Sequence, residues 1–258
     1  MSFIQTELIE NNHILLVTLN RPEVRHAFHT EMAQQLYEIF EQASKQPIRA
    51  LILTSSSEDA FCSGADLKER KTLSDEQWHA QHKLFEKMFE CLSKMPFPTI
   101  TVINGYALAG GFELALNTDL LIAGFNAKVG LTEVTRGIMP GCGGARLLPK
   151  RIAPHIAKEW LFTGRIVEAH EAKEAGLFNY VVAENEALDK AIQLAKRISE
   201  NAPLSIKGVK AVTQHSSGST DEQRQFEIAT YESIVSTEDR YEGILAFNEK
   251  RKPIFKGM

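Results

Sequence analysis

Residues 99–123 read TITVINGYALAGGFELALNTDLLIA, and this stretch indicates the fold class. It opens with a short apolar run at 99–103, of the kind that forms a buried strand, and ends with a second such run at 120–123. Between them lie a glycine-containing turn at 105–111 and a segment of helical character at 112–116. A strand, a turn, a helix and another strand in so short a stretch predict an α/β architecture with short crossovers.

The same alternation of strands and helices extends on both sides of this stretch, up to about residue 180. The predicted elements are strands at 4–9, 14–19 and 50–54, a helix capped by Thr30, and a long helix opened by a capping box of Ser74 and Gln77. From Ala187 onward, apolar residues recur only at helical spacing. We therefore expect an α/β core over residues 1–195 and a helical C-terminal region over 196–258 that serves oligomerisation.

The composition excludes several classes of protein. The chain has 258 residues, of which 43% are hydrophobic, enough for a buried core. Its net charge of -4 shows no general basic footprint for nucleic acid. Three cysteines form no disulfide framework, which fits a reducing compartment. The first residues lack the pattern of a signal peptide, and carboxylates interrupt the most apolar stretch, which argues against a membrane span. The expected location is the cytoplasm.

Two glycine-bearing segments are candidates for binding a carbonyl oxygen: FCSGADLK at 61–68 and NGYALAGGFE at 104–113. Glycine lets the backbone approach a ligand closely, and the N–H groups at a helix N-terminus have no intrahelical acceptor. One donor from each segment would form an oxyanion hole. The alternative is that both are ordinary tight turns, and neither contains a dinucleotide-binding or Walker motif.

Glu113 and Glu133 are the carboxylates of interest because both stand in apolar sequence, outside any charged run. Burial raises the pKa of a carboxyl group, and two neighbouring carboxylates push their pKa values apart. Such a pair provides one group that donates a proton and one that accepts it. The alternative for either residue is a solvated or ion-paired glutamate on the surface.

The chain resembles the crotonase, or enoyl-CoA hydratase/isomerase, superfamily in four ordered segments. These are residues 61–68, 105–119, 137–144 and 239–251, and the resemblance runs from Leu19 to Gly257. It implies a spiral of ββα units followed by a helical C-terminal region, assembled as a homotrimer or a dimer of trimers. It also implies an acyl-CoA thioester as the partner, with coenzyme A as part of the substrate and no separate cofactor or metal.

The resemblance also implies roles for individual residues. The N–H groups of Ala65 and Gly110 would form the oxyanion hole, Glu113 and Glu133 would be the catalytic acids, and the N–H of Gly141 would help to hold water. Residues that would contact coenzyme A are Arg25, Ala27, Ser63, Asp66, Leu67, Lys68, Phe247 and Lys250, the last two from the same subunit or from a neighbouring one.

Because both glutamates are present, the resemblance favours an enoyl-CoA hydratase that adds water to a 2-enoyl-CoA. The open alternatives are a 3,2-enoyl-CoA isomerase, a decarboxylase or a thioester hydrolase, and, from another class, an RNA-binding protein. Residues 65–70 are similar to the methylglutaconyl-CoA hydratase branch, some of whose members bind AU-rich RNA. A branched, anionic acyl group such as 3-methylglutaconyl would need a basic side chain in the pocket, for which the sequence offers Lys71, Arg146 and Lys150.

Some residues have a second interpretation. Cys142, in a glycine-rich loop, could be a nucleophile, but no histidine motif accompanies it and a structural role is favoured. His79 and His82 could bind a metal, but without a third ligand a surface pair is favoured. The run of Lys250, Arg251 and Lys252 fits either a phosphate contact or a solvated helix end.

Overall fold

The structure is a computed structural model that describes residues 2–214 and 220–258, except for the side chains of residues 220, 221, 247 and 248. Its strands are β1 (Ile4–Ile9), β2 (Ile14–Leu19), β3 (Ala50–Ser55), β4 (Ala60–Cys62), β5 (Thr99–Ile103), β6 (Tyr106–Leu108), β7 (Leu120–Gly124), β8 (Lys128–Gly130), β9 (Val167–Glu168) and β10 (Tyr180–Val182). Its helices are α1 (Thr30–Ala43), α2 (Leu67–Arg70), α3 (Asp75–Ser93), α4 (Gly110–Leu116), α5 (Gly144–Arg151), α6 (Pro154–Thr163), α7 (Ala169–Glu174), α8 (Glu184–Ser199), α9 (Pro203–Gln214), α10 (Thr220–Val235) and α11 (Glu238–Glu249).

The larger sheet has the strand order β1-β2-β3-β5-β7-β10, and all of its pairs except β1 with β2 are parallel. Side chains alternate between its two faces: Leu51 and Leu53 of β3 join the main core, whereas Ala50 and Ile52 face the opposite side. This explains why β3 is apolar throughout, since both of its faces are buried.

Helix α8 covers the second face of this sheet. Its residues Ala187, Ala191 and Ala195 are fully buried in a second hydrophobic cluster against the sheet, and their small side chains allow a close approach. The predicted boundary between residues 195 and 196 lies inside this helix, so the core includes α8 up to Ser199. The predicted change to helices alone after residue 187 is confirmed by α8 to α11.

A smaller sheet, with the order β4-β6-β8-β9, positions the site. Strands β4, β6 and β8 run parallel to one another, so their carboxyl ends meet at one edge. The loop containing Ala65 follows β4, the turn into α4 follows β6, and the segment leading to Glu133 follows β8. Three loops that are distant in sequence are thereby brought to one place.

Several local predictions need correction. Residues 106–108, interpreted as part of a turn, form β6, and α4 begins at Gly110 rather than Phe112. A three-residue strand is too short to show a periodic pattern, which also explains why β4 and β8 were missed. Thr30 is the first residue of α1 and not its cap; its backbone N–H instead donates to the Glu69 carboxylate (3.0 Å to Oε2).

The capping box of Ser74 and Gln77 at the start of α3 is confirmed, with both reciprocal hydrogen bonds present. In the part of the chain that the structure describes, no helix combines the length and the apolar character needed to cross a membrane.

Candidate active site

A cavity of about 700 Å³ opens at the edge where β4, β6 and β8 end. The five residues that the sequence suggested for catalysis all line it: Ala65, Gly110, Glu113, Glu133 and Gly141. They come from four separate segments of the chain. The parallel small sheet and the loop before α5 are what bring them together.

The backbone around Ala65 leaves its N–H group available. Phe28 pairs with Ala65 as a parallel bridge, in which the Phe28 N–H donates to Gly64 O (2.9 Å) and the Asp66 N–H donates to Phe28 O (2.9 Å). In such a bridge the polar groups of the middle residue, Ala65, point to the opposite side. Gly110 is the first residue of α4, so its N–H has no acceptor within the helix.

The two donor segments touch at Gly64 and Gly110. A Cβ placed on Gly64 would lie 3.1 Å from the Gly110 nitrogen, and one placed on Gly110 would lie 3.6 Å from the Gly64 Cα. Gly64 also has φ of +94°, which L side chains rarely adopt. The glycine is therefore required both by the local backbone and by the close approach.

Ala109 carries backbone strain directly before the donor residue. Its φ of 51° and ψ of −128° lie in a region used almost only by glycine, and its N–H donates to Gly130 O (2.8 Å). Such a conformation costs on the order of 1–3 kcal/mol and persists because the surrounding structure enforces it. No feature of the local sequence signals this strain, because alanine does not mark a position of positive φ.

Ala109→Gly should raise the free energy of unfolding by about 1 kcal/mol, because relief of strain exceeds the entropic cost of glycine. Urea denaturation measures the change. Ala80→Gly, at an exposed position within α3, is the matched control and should lower the same quantity by about 1 kcal/mol. Equal destabilisation by both substitutions would contradict the assignment of strain.

Glu113 is buried, with 3% of its surface exposed, and it is firmly held. Its Oε1 accepts hydrogen bonds from the backbone N–H groups of Cys142 and Gly144, each at 2.8 Å. Burial raises the pKa of Glu113, and the two N–H donors, together with the charge of Arg70, oppose the rise. The anchored carboxylate leaves its second oxygen for other partners.

Glu133 is also buried, with 6% of its surface exposed, but its surroundings differ. Its Oε2 has no hydrogen-bond partner among the described residues. Burial, with a contribution from the charge of Glu113, raises the pKa of Glu133 to about 7. The predicted burial of both carboxyl groups is thus confirmed, and the pair differs in how strongly each holds its proton.

Asn117 is a supporting residue that sequence reasoning missed. Its side-chain amide donates to Glu113 O (2.8 Å) and to Cys142 O (3.0 Å), which ties the end of α4 to the loop before α5. That loop in turn supplies the N–H groups that hold the Glu113 carboxylate. The signal in the sequence is its position four residues after Glu113, one helical turn further on.

Comparison with known proteins agrees with this arrangement. The family model of enoyl-CoA hydratase/isomerase matches residues 9–258, which include all of the site loops. The chain belongs to the enoyl-CoA hydratase/isomerase family.

Relatives of this family match almost the whole chain. The Bacillus subtilis protein YngF, which carries the name enoyl-CoA hydratase/isomerase, is 42% identical, and the match covers 97% of each chain. The mitochondrial methylglutaconyl-CoA hydratase of Mus musculus is 35% identical, over 96% of this chain and 81% of the relative. The crystal structure of an enoyl-CoA hydratase from Bacillus anthracis superposes with a TM-score of 0.96 at 37% identity, over 99% of this chain and 100% of that one. The predicted crotonase fold is therefore confirmed.

The residues suggested for coenzyme A contact in this family member divide into two groups. The first group lines the cavity: Ala27, Ser63, Asp66, Leu67 and Lys68. Arg25 and Lys250 do not line it within this chain, and Arg25 instead lies over the Tyr106 ring, 5.3 Å from its centroid. The side chain of Phe247 lies outside the described residues.

Asp66 has a structural task that the sequence analysis did not assign. Its Oδ1 accepts from the N–H of Lys68 (2.9 Å) and so caps α2, while its Oδ2 pairs with the Arg21 guanidinium at 2.7 Å. These donors outweigh burial and hold its pKa below the usual range. Both oxygens are thus engaged within the protein, and Asp66 stays a predicted contact of coenzyme A in the cavity lining.

The basic side chains in the cavity are not the three that the sequence offered. Lys71, Arg146 and Lys150 are absent from the cavity lining, whereas Arg70 and Arg136 belong to it. Other lining residues that sequence reasoning missed include Val24, Trp78, His82, Thr132, Ile138 and Met139. Arg70 lines the cavity and Lys71 does not, because the one-turn helix α2 presents the two residues in different directions. The sequence did not reveal those directions.

The structure also decides between the alternatives left open for Cys142. Burial, followed by the charge of Glu113, raises the pKa of its thiol, so a reactive thiolate is disfavoured and the structural interpretation holds.

The two histidines of α3 contact groups of their own helix. His79 lies on the exposed side of α3, with its Nδ1 2.6 Å from Asp75 O, and Nε2 of His82 lies 3.5 Å from Oε1 of Glu86. Among the described residues no group of three or more His, Cys, Asp or Glu side chains is suited to a metal.

Proposed function

We propose that this protein is an enoyl-CoA hydratase that adds water across the 2,3-double bond of a 2-enoyl-CoA thioester. One observation carries the proposal: two buried carboxyl groups of unequal proton affinity, Glu113 and Glu133, share a cavity with the backbone N–H groups of Ala65 and Gly110. Hydration needs a base for water, an acid for carbon and an oxyanion hole for the intermediate charge.

The proposed mechanism follows from where charge develops. The thioester oxygen accepts from the N–H groups of Ala65 and Gly110. Glu113 removes a proton from water as the water oxygen bonds to the β-carbon, and the π electrons move onto the thioester oxygen. Glu133 then delivers its proton to the α-carbon as the enolate collapses. The N–H groups of the hole favour the enolate over the neutral thioester, which is the differential binding that lowers the barrier.

The surroundings of the two glutamates support this division of roles. A group with a pKa near 7 and an oxygen without a partner among the described residues is about half protonated at neutral pH and has that proton available, which suits Glu133 as the acid. Glu113 receives two N–H donors, which favour its charged form, and this suits a base. Because the two groups interact, they titrate as a coupled pair.

The value of kcat/KM should fall as pH rises above about 7. The pKa of Glu133 is raised, so this carboxyl is protonated and active below that pH, and each further pH unit removes about nine-tenths of the active form. The profile is measured by the hydration of crotonyl-CoA at a series of pH values from about 6 to about 9. The rate at each pH is taken from the loss of absorbance of the conjugated thioester. Circular dichroism over the same range separates ionisation from unfolding, and a flat alkaline limb would contradict the assignment.

Turnover against a panel of thioesters tests the function itself. Conversion of crotonyl-CoA or 3-methylglutaconyl-CoA to the 3-hydroxy product supports hydration. Conversion of a 3-enoyl-CoA to the 2-enoyl isomer without hydration would support an isomerase, and release of carbon dioxide or free coenzyme A would support a decarboxylase or a thioester hydrolase. RNA binding as the main role requires a gel shift with sequence preference that persists at moderate salt.

The remaining expectations concern assembly, ligand and location. We propose a homotrimer or a dimer of trimers, and the exposed apolar side chains of Val209, Tyr231, Tyr241 and Leu245 on the C-terminal helices support an interface there. We further propose coenzyme A as part of the substrate, without a separate cofactor. The cytoplasm remains the predicted location, although the related methylglutaconyl-CoA hydratase of Mus musculus is named as mitochondrial.

A further inference from the structure

Arg70 is a charged side chain in the cavity whose charge favours the ionised form of Glu113 but which the proposed mechanism does not place against the substrate. It is the last residue of α2, and it lines the cavity together with Trp78 and His82 of α3. The mechanism needs donors at the thioester oxygen and carboxyl groups at the reacting carbons, but no cation. A partly buried guanidinium in such a place calls for a separate explanation.

The guanidinium is held in a defined orientation. Its Nε donates to Gln81 Oε1 (3.0 Å), and its plane lies over the Trp78 ring at 4.1 Å from the centroid. Gln81 is itself buried and fixed, since its Nε2 donates to Thr30 Oγ1 (2.8 Å) and to Glu69 Oε2 (2.7 Å). A side chain fixed in this way loses little further entropy when it binds a ligand.

The two terminal nitrogens of the Arg70 guanidinium are not hydrogen-bonded within the part of the chain that the structure describes. Nε is used by Gln81, but among the described residues no acceptor bonds to either terminal nitrogen of Arg70. The charge of Arg70 acts on Glu113, but the hydrogen bonds of the Glu113 carboxylate among the described residues come from Cys142 and Gly144 and not from Arg70. By contrast, Nη1 of Arg136, the other arginine of the lining, already donates to Thr132 O and Thr132 Oγ1.

We propose that Arg70 binds a carboxylate carried by the acyl group of the substrate and so selects enoyl-CoA thioesters with an acidic chain. Two parallel N–H donors on a planar fork match the two oxygens of a carboxylate. The Arg70 guanidinium lies in the same cavity as Glu113 and Glu133, into which the acyl chain of the substrate must extend. This inference rests on the proposed function and deepens it by naming the class of substrate.

The test compares two substrates that differ in the acyl carboxylate alone, glutaconyl-CoA and crotonyl-CoA. Arg70→Met should lower kcat/KM for glutaconyl-CoA by roughly 10- to 100-fold more than for crotonyl-CoA, the range expected for a charge-assisted bidentate contact. Arg70→Lys keeps the charge but not the fork, so it should recover only part of the loss. Lys71→Met removes the neighbouring charge outside the cavity lining and should leave the ratio of the two substrates unchanged.

Equal losses for both substrates would overturn the proposal, because they would place Arg70 at a coenzyme A phosphate or in support of Glu113. Titration calorimetry with the unreactive glutaryl-CoA and butyryl-CoA separates this inference from the reaction chemistry. If the wild type hydrates neither enoyl substrate, the proposed function fails. The carboxylate site would still be supported if the wild type bound glutaryl-CoA more tightly than butyryl-CoA and this preference were lost in Arg70→Met and partly lost in Arg70→Lys. Equal binding of the two analogues by the wild type would refute the site.

Discussion

Glu133→Gln should lower the kcat of crotonyl-CoA hydration by about 10³-fold, within the range for loss of a general acid. The amide is close in size to the carboxyl group, but its N–H protons are too weakly acidic to be delivered to the α-carbon. Glu113→Gln should have an effect of similar size, because the amide cannot take the proton of water. In both variants the Kd of an unreactive acyl-CoA, measured by titration calorimetry, should change by less than about threefold, since neither residue is expected to hold coenzyme A.

The matched control is Glu76→Gln on the exposed surface of α3, which makes the same chemical change away from the cavity and should leave kcat as in the wild type. A further expectation concerns the combination of the two active-site changes. Residues that act as one unit give non-additive losses, so the double variant should be little worse than either single variant. Wild-type turnover in either single variant would remove the paired-acid mechanism.

Gly64→Ala should lower kcat by about 10²–10³-fold, the effect typical of losing one oxyanion-hole donor. The new Cβ would lie 3.1 Å from the Gly110 nitrogen and 3.1 Å from Leu108 O, so the two donor segments would have to move apart. The φ of +94° adds strain that should lower the free energy of unfolding by about 1–2 kcal/mol. Steady-state kinetics and urea denaturation measure the two effects separately.

Gly176→Ala separates these two causes. Gly176 has nearly the same φ, +91°, but a Cβ placed there meets nothing within 4 Å. It should therefore show the same loss of stability with normal kcat. If Gly64→Ala also retained normal kcat, the N–H groups of Ala65 and Gly110 would not be the donors that stabilise the enolate.

The elements that the sequence predicted correctly are those with a long or continuous pattern. Strands β2, β3 and β5, the amphipathic α3 with its capping box, and the helical region from α8 onward all carry their signal within a single segment. The two glutamates in apolar sequence and the two glycine-bearing segments could also be recognised, because each differs from the residues around it. Family resemblance then related these features to one another.

Features that depend on contacts between distant segments could not be predicted in this way. The unpartnered oxygen of Glu133, the two N–H donors on Glu113 and the strained backbone of Ala109 depend on where other loops lie. For the same reason the basic residues offered for the cavity were Lys71, Arg146 and Lys150, whereas Arg70 and Arg136 line it.

The amino-acid sequence by itself determined the α/β class, the family and the identity of the residues that could perform acid–base chemistry, because periodicity, capping and residue type are local properties. Only the tertiary structure decided which oxygen of each carboxyl is satisfied, how far each pKa is raised and which cation reaches the cavity. Those quantities depend on burial and on hydrogen bonds between segments that are distant in the sequence, such as the bond between Gly144 and Glu113, which are 31 positions apart. The packing of the small sheet, with its parallel strands β4, β6 and β8, decides which of these distant segments come close together in space.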